Sequence, residues 1–334
     1  MSGPYRYTRP PSPATATGTA AAVWAQTATD FGIARPSTLV VLSSAPELLA
    51  PAWALLRESL IAGSGARADR ELVAAGASQA NRCPFCVDAH AVLLHATGDH
   101  ALGEAVAAGA APRDERAAQL LAWGRATRVP GAPELAPPPF AAADLASHLG
   151  TALAFHFINR IVSALCDENL LPGGAQRLRA VRSLAGRSVS RVVRAAHTPG
   201  ASLPLLDAPG PGPHWAAGTP VGPAYDALRT AATAGAGLLT DADLGLVQQT
   251  VARWDGSHPA PGPGGLPDRA ARPGARLALL AALAPYRITD EDVAAWRGPR
   301  TTDGDLVRLI AYGAFAAVDR IESALPAPAP RESR

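Results

Sequence analysis

The sequence predicts an all-α protein, on three observations. Apolar residues recur at spacings of three and four along most of the chain after about residue 45, as on one face of a helix. No stretch alternates apolar and polar residues as a half-buried strand does, and β-branched residues are sparse. Helix start and stop signals, such as Pro84 and Gly63, separate the segments. With 334 residues and 48% hydrophobic composition, the chain is long enough for two domains.

Six helical segments are predicted in the first half of the chain. In order they are "APELLAPAWALLRESLIAG", "DRELVAAGASQANR", "CPFCVDAHAVLLHATG", "RDERAAQLLAWGRATR", "AAADLASHLGTALAFHFINRIVSALC" and "GGAQRLRAVRSLAGRSVSRVVRAA". Residues 1–35 are rich in Pro, Ser, Thr and Ala, and we predict an N-terminal arm there. Residues 197–223 are rich in Pro and Gly, which is typical of a linker or an irregular wrap.

The second half of the chain resembles a diverged copy of the first. "PAWALLRES" at 51–59 matches "PAYDALRTA" at 223–231, and "FHFINRIVSAL" at 155–165 matches "FAAVDRIESAL" at 315–325. Because the matches run in the same order, we predict an internal duplication, with one domain over 36–196 and a degenerate copy over 224–334. The second half contains no cysteine, so we expect it to repeat the scaffold without the thiol chemistry.

Composition excludes several function classes. All 30 Lys and Arg residues are arginine, so lysine Schiff-base chemistry and the P-loop lysine are excluded. The net charge is +2 and there is no basic block, so we expect neither a nucleic-acid partner nor an anionic membrane. No apolar run reaches the roughly 18 residues of a membrane span, and the N-terminus lacks a signal pattern. We therefore expect a cytoplasmic protein, in which a close cysteine pair is catalytic or metal-binding.

The chemistry-bearing stretch is "RELVAAGASQANRCPFCVDAH" at residues 70–90. A helix that begins at Cys83 points its first N–H groups and its positive dipole end at the sulfurs, which favours a thiolate. Residues three and four apart share a helix face, so Cys83, Cys86 and His90 lie along one stripe. If the preceding helix packs antiparallel, the Glu71 carboxylate can reach the same pocket and orient the histidine or relay a proton.

Three other interpretations of the motif stay open at this point. Two cysteines, one histidine and one glutamate could hold zinc, but this ligand set is uncommon and the chain has no second C-x-x-C. A thioredoxin-like protein needs strands alternating with helices, which the pattern lacks. The cysteines could also be buried and inert. A redox-active thiol pair without a metal is favoured over all three.

The motif, Glu followed by eleven residues, C-x-x-C, three residues and His, resembles the signature of the alkylhydroperoxidase D-like proteins of the carboxymuconolactone decarboxylase superfamily. The chain matches at Glu71, Cys83, Cys86 and His90, and the resemblance extends more loosely over residues 30–170. It implies an all-α, commonly trimeric homo-oligomer and a thiol-dependent peroxidase. Cys86 would be the peroxidatic thiol, oxidised to a sulfenic acid, and Cys83 would resolve it as a disulfide.

By the same resemblance, His90 and Glu71 form the proton relay, and the substrate is a small hydroperoxide. A dithiol or lipoylated protein restores the thiols, and no metal, haem or flavin cofactor is required. The chain departs from the family at Phe85, where well-characterised members carry a histidine of the relay. The alternatives are therefore a redox-sensing or disulfide-exchange protein without turnover and, more weakly, a decarboxylase-type enzyme, since that branch typically lacks the cysteine pair.

Several further residues are weighed as neighbours of the motif. Phe85, His156 and Asn159 are predicted to border the pocket, and Arg160 is predicted to be structural. Cys166 has no partner at sequence spacing and is expected to be a small core residue. His95 is off the stripe and is expected at the surface. In the second half, the copy of the motif falls on Asp255 and His258, both expected to be solvated loop residues.

Overall fold

Helices account for all the regular structure that the computed structural model describes, which covers residues 4–167, 172–260 and 265–325. Within these ranges there are fourteen α-helices and no β-strand, so the all-α prediction is confirmed. The helices are α1 Gly18–Gln26, α2 Ser37–Leu42, α3 Pro46–Leu56, α4 Arg67–Ala80, α5 Pro84–Thr97, α6 His100–Ala107, α7 Glu115–Ala126, α8 Leu145–Leu165, α9 Arg179–Val193, α10 Val221–Thr233, α11 Asp241–Ala252, α12 Pro273–Leu283, α13 Asp290–Trp296 and α14 Asp303–Ala324.

The N-terminal segment is folded against the body of the protein. Within residues 1–35, predicted as an arm, α1 buries Val23 and Trp24. The Trp53 indole N–H on α3 donates to Gln26 Oε1 at 2.8 Å. A π-helical turn, Thr27–Phe31, continues α1 and ends at Gly32, whose φ of 76° is left-handed. The ends of the predicted arm and second copy, residues 1–3 and 326–334, lie outside the described residues.

Close helix packing positions the motif. A Cβ atom added at Gly76 on α4 would lie 2.3 Å from the Leu121 carbonyl oxygen, and one at Gly124 on α7 would lie 2.4 Å from the Val73 carbonyl oxygen. The two glycines therefore let the backbones of α4 and α7 approach more closely than any side chain allows. After α4, Arg82 takes a left-handed φ of 56°, which turns the chain into α5.

The long helix α8 lies at the centre, with nearly all of its 21 residues buried. It packs against α3 and α4 of the first half and against α10, α12 and α14 of the second. One hydrophobic core runs through both halves. The helices that carry the matched sequence segments, α3 with α10 and α8 with α14, pack in pairs. The duplication itself stays a prediction.

The Pro/Gly-rich segment at 197–223 follows the protein surface with two short 3-10 turns, Leu203–Leu205 and His214–Ala216. The buried carboxylate of Glu58 holds its start, because it accepts hydrogen bonds from Gly200 N at 2.6 Å and from Ser202 Oγ at 2.6 Å. No helix among the described residues is long and apolar enough to cross a membrane.

Candidate functional site

The two cysteines of the motif lie side by side at the start of α5. Cys83 is the N-cap residue and Pro84 follows in the first turn. Both thiols are free, and their sulfurs are 2.7 Å apart. Both are buried, with 1% of Cys83 and 3% of Cys86 exposed. The pair can therefore exchange with a disulfide by small side-chain movements.

An apolar cavity opens onto one of the two sulfurs. We call it the thiol cavity; its volume is about 370 Å³, and Cys86 and His90 lie in its wall. The rest of the wall comes mainly from the segment after α1, from α2, α5, α8 and α9, and is largely apolar, including Leu39, Phe85, Leu93, Phe155, Ile158 and Val189. Cys83 does not line this cavity, but lines a much smaller one together with Cys166. A small molecule in the thiol cavity would thus meet Cys86 first.

A buried hydrogen-bonded chain leads to the cavity from α4. Glu71 is fully buried, and its Oε2 lies 2.6 Å from His90 Nδ1. Its other oxygen, Oε1, accepts a hydrogen bond from Arg67 Nε at 2.7 Å. Burial alone would raise the pKa of Glu71, but the charge of Arg67 and the hydrogen bond from His90 outweigh it, so the pKa lies below its ordinary value.

The contact with Glu71 fixes which nitrogen of His90 carries the hydrogen. An ionised carboxylate only accepts hydrogen bonds, so His90 Nδ1 carries the hydrogen and the lone pair of the neutral ring is on Nε2. That Nε2 atom is buried and has no hydrogen-bond partner among the described residues. The ring is held edge-on against Phe155, with the ring centres 4.4 Å apart. His90 thus lines the cavity with a fixed ring and a free Nε2, which can take or give a proton.

The Cys86 thiol is not a preformed thiolate. Burial raises its pKa well above the ordinary value, and the neighbouring Cys83 raises it further, while the Asn159 side chain acts in the opposite direction. The expectation that the helix start favours a thiolate is outweighed here by the loss of solvation. A base is consequently needed to remove the proton when the sulfur reacts.

Behind the cysteines lies a buried polar cluster centred on Asn81. The Asn81 amide nitrogen is 2.9 Å from both His156 Nδ1 and Asn159 Oδ1. Its oxygen accepts hydrogen bonds from Arg128 Nη1 at 2.6 Å and from Arg160 Nη1 at 3.3 Å. His156 and Asn159, predicted to border the pocket, are placed in this cluster and not in the wall of the thiol cavity. Burial lowers the pKa of His156 well below its ordinary value, so its ring is neutral.

The two arginines of the cluster are held by backbone oxygens of the second half. Arg128 Nε donates to Gly256 O and Arg160 Nε donates to Ala282 O, both at 2.7 Å. Both guanidinium groups also lie against the Trp254 ring. Arg160, predicted to be structural, thus holds the first half against a backbone oxygen of the second. Among the described residues, no carboxylate lies within ion-pair distance of either arginine.

Two smaller predictions are wrong. His95 is buried, not at the surface, because α6 packs over it, and its ring nitrogens contact His100 Nδ1 at 2.7 Å and Glu104 Oε1 at 2.8 Å. His258 is half-buried and its Nε2 lies 2.9 Å from the Ala80 carbonyl oxygen, so it is not a solvated loop residue.

The structure also places three other residues that the sequence singled out. Cys166 is buried, as a core residue is, and burial raises the pKa of its thiol. Phe85 lies in the wall of the thiol cavity, and Asp255 is exposed.

Sequence reasoning missed Arg67, although its i,i+4 spacing to Glu71 on one helix was a usable signal. Among the described residues, no group of three His, Cys, Asp or Glu side chains is arranged to hold a metal ion.

Comparisons with known proteins identify the family of the chain. The model of the carboxymuconolactone decarboxylase family matches residues 47–126, which include the whole motif. A protein of Mycobacterium tuberculosis named alkyl hydroperoxide reductase is 38% identical over 328 residues, covering 93% of this chain and 92% of the relative. No solved structure matches the chain significantly. The chain belongs to the carboxymuconolactone decarboxylase family, as an alkylhydroperoxidase D-like member.

Proposed function

We propose that the protein is a thiol-dependent peroxidase that reduces alkyl hydroperoxides through Cys86 and Cys83. The observation that carries the proposal is the wall of the thiol cavity, where the buried Cys86 lines the same apolar space as His90, a histidine whose Nε2 has no hydrogen-bond partner among the described residues. The name of the mycobacterial relative supports the same reaction class.

The first step oxidises Cys86. His90 Nε2 takes the thiol proton, and the sulfur attacks the terminal oxygen of the hydroperoxide. The O–O bond breaks, the departing alkoxide receives the proton from His90, and the products are an alcohol and a sulfenic acid on Cys86. Glu71 stabilises the transient imidazolium, because its carboxylate is ionised and hydrogen-bonded to Nδ1.

The second step closes the cycle within the pair. The Cys83 sulfur, 2.7 Å away, attacks the sulfenic sulfur, and water leaves as the disulfide forms. A dithiol reductant, such as a lipoylated protein, then exchanges with this disulfide and returns both thiols. Because every turnover consumes reducing equivalents, we place the protein in a reducing cytoplasm. Assembly as a homo-oligomer stays a prediction.

Stopped-flow oxidation by cumene hydroperoxide tests the proposal. The wild type is expected to form one disulfide per chain, Cys83→Ser to stop at a sulfenic acid that dimedone labels on Cys86, and Cys86→Ser to be inert. Cys166→Ser is the matched control and should react like the wild type. If the wild-type thiols react no faster than free cysteine, the proposal fails. Reversible disulfide formation without turnover would favour the redox-sensing alternative instead.

A further inference from the structure

The entrance of the thiol cavity carries an exposed cation. Arg35 and Ile33 both line the cavity and both are exposed, so they mark where it meets solvent. They follow Gly32, and a Cβ atom at that glycine would lie 3.4 Å from the Val189 side chain on α9. The entrance segment thus lies directly against α9.

Arg35 forms no hydrogen bond or ion pair with any part of the chain that the structure describes. Arg182, the other arginine of the cavity wall, is fully engaged, since it donates to Glu104 Oε1 at 3.1 Å and to Glu104 Oε2 at 2.7 Å. None of the residues that line the cavity is acidic. Arg35 is therefore the wall's available partner for a negative group.

Helix α9 brings no acidic group to this side of the cavity. Helix α9 forms one side of the cavity and carries four arginines and no acidic residue in the sequence RAVRSLAGRSVSRVV. An exposed cation at the rim of an apolar cleft, such as Arg35, attracts ligands of opposite charge. The cavity is thus apolar along its walls and cationic at its mouth.

On the basis of the proposed peroxidase function, we propose that the substrate is an anionic amphipathic hydroperoxide, a fatty-acid hydroperoxide, whose carboxylate binds Arg35 while its acyl chain lies along the apolar walls. The peroxide group on the chain then meets Cys86, and the product is the corresponding hydroxy fatty acid. The cavity volume of about 370 Å³ lies within the roughly 300–1,000 Å³ usual for small-molecule sites. A carboxylate is preferred because guanidinium groups bind it in a two-pronged geometry.

The test compares an acid with its ester. Steady-state kinetics are measured with linoleic acid hydroperoxide and with its methyl ester, on the wild type, on Arg35→Gln and on the matched surface control Arg253→Gln. Exposed ion pairs are weak, so Arg35→Gln is expected to raise KM for the acid about fivefold and leave kcat unchanged. The ester and the control variant should show no change. Equal KM values for acid and ester on the wild type, or an unaltered acid KM in Arg35→Gln, would overturn the inference.

A second measurement separates this inference from the proposed function. Oleate carries the carboxylate and chain but no peroxide, and its binding to the wild type and to Arg35→Gln is followed by calorimetry. Turnover of cumene hydroperoxide with no Arg35-dependent oleate binding refutes the inference and leaves the peroxidase intact. Arg35-dependent oleate binding without turnover of any peroxide supports the binding site and refutes the peroxidase.

Discussion

Substitution of Glu71 by glutamine removes one charge from the buried chain while preserving the shape of the side chain. The carboxylate accepts hydrogen bonds from two donors, Arg67 Nε at 2.7 Å and His90 Nδ1 at 2.6 Å. An amide presents one oxygen and one NH₂ group in the same space, so its NH₂ group either faces Arg67 Nε or makes His90 take the tautomer that carries the hydrogen on Nε2. In either case His90 loses the negative charge that stabilises its protonated form.

The expected loss of stability follows from the burial of the Glu71–Arg67 ion pair. Removing one member of a buried ion pair costs about 3–5 kcal/mol, because the remaining charge stays uncompensated. The Arg67 side chain keeps 10% exposure, so we expect the lower end, about 3 kcal/mol of unfolding free energy. Positioned acid–base groups contribute about 10²–10⁴-fold to rates. Glu71 acts through His90, so we expect a loss of about 10²-fold in the rate of Cys86 oxidation.

Urea unfolding and stopped-flow oxidation by cumene hydroperoxide measure the two effects. Glu58→Gln is the matched control, since Glu58 is also buried, pairs with Arg57 at 2.7 Å and lies outside the wall of the thiol cavity. It should keep the oxidation rate and lose less stability than Glu71→Gln, because Arg57 retains its second partner, Asp30, at 2.7 Å. The reasoning is refuted if Glu71→Gln oxidises at the wild-type rate, or if Glu58→Gln is slowed as much.

The same substitution has a pH signature. The pKa of Glu71 is lowered in the folded protein, so its contribution to stability is complete above the ordinary carboxyl pKa and is lost as pH falls through the lowered value. The stability difference between the wild type and Glu71→Gln should therefore be constant near neutrality and shrink below about pH 4. A difference that persists unchanged in acid would contradict the charge argument.

Three further predictions concern reactivity and packing. Phe85→His places a second proton carrier in the cavity wall and should speed peroxide reduction by about tenfold or more in steady-state assays. An unchanged rate would show that the aromatic ring at this position does not limit proton transfer. The pKa of the Cys86 thiol is raised above 9.0. The rate of its alkylation by iodoacetamide, measured by mass spectrometry, should therefore still increase between pH 8 and pH 10. A rate that stops increasing below pH 8 would contradict this. Gly76→Ala puts a Cβ atom 2.3 Å from the Leu121 carbonyl oxygen and should destabilise the fold by about 1–3 kcal/mol in urea, whereas Gly245→Ala, with nothing within 4 Å, should stabilise α11 by about 0.5–1 kcal/mol.

The local parts of the site could be read from the sequence. The spacing of Cys83, Cys86 and His90 fixes their common helix face, and a short turn after α4 leaves Glu71 little choice of neighbour. The structure shows the contacts of these four residues, whereas their catalytic roles are proposals. The expected thiolate at Cys86 is wrong, because burial raises the pKa of the thiol. The extent of that burial depends on how completely later helices cover the sulfur.

Contacts made across long stretches of sequence could not be foreseen. His95 is buried because α6 and Gly186 of α9 close over it, and a helical wheel of α5 contains no information about either. Nor could the pattern show that the acceptors of Arg128 and Arg160 lie more than a hundred residues downstream. Such partners are decided by tertiary packing, which periodicity along one segment does not encode.

The buried arginine pair has a consequence for how this chain can be divided. Arg128 and Arg160 belong to the thiol-bearing half, but the backbone oxygens of Gly256 and Ala282 that receive their N–H groups belong to the other. A polypeptide ending within the Pro/Gly-rich segment would lack these acceptors and the Trp254 ring against which both guanidinium groups lie, and it would expose the face of α8 that α12 and α14 cover. The cysteine-free half therefore completes the polar cluster behind the thiols, so a fragment cut to the boundaries of the sequence motif would lose contacts that hold Arg128 and Arg160 in place.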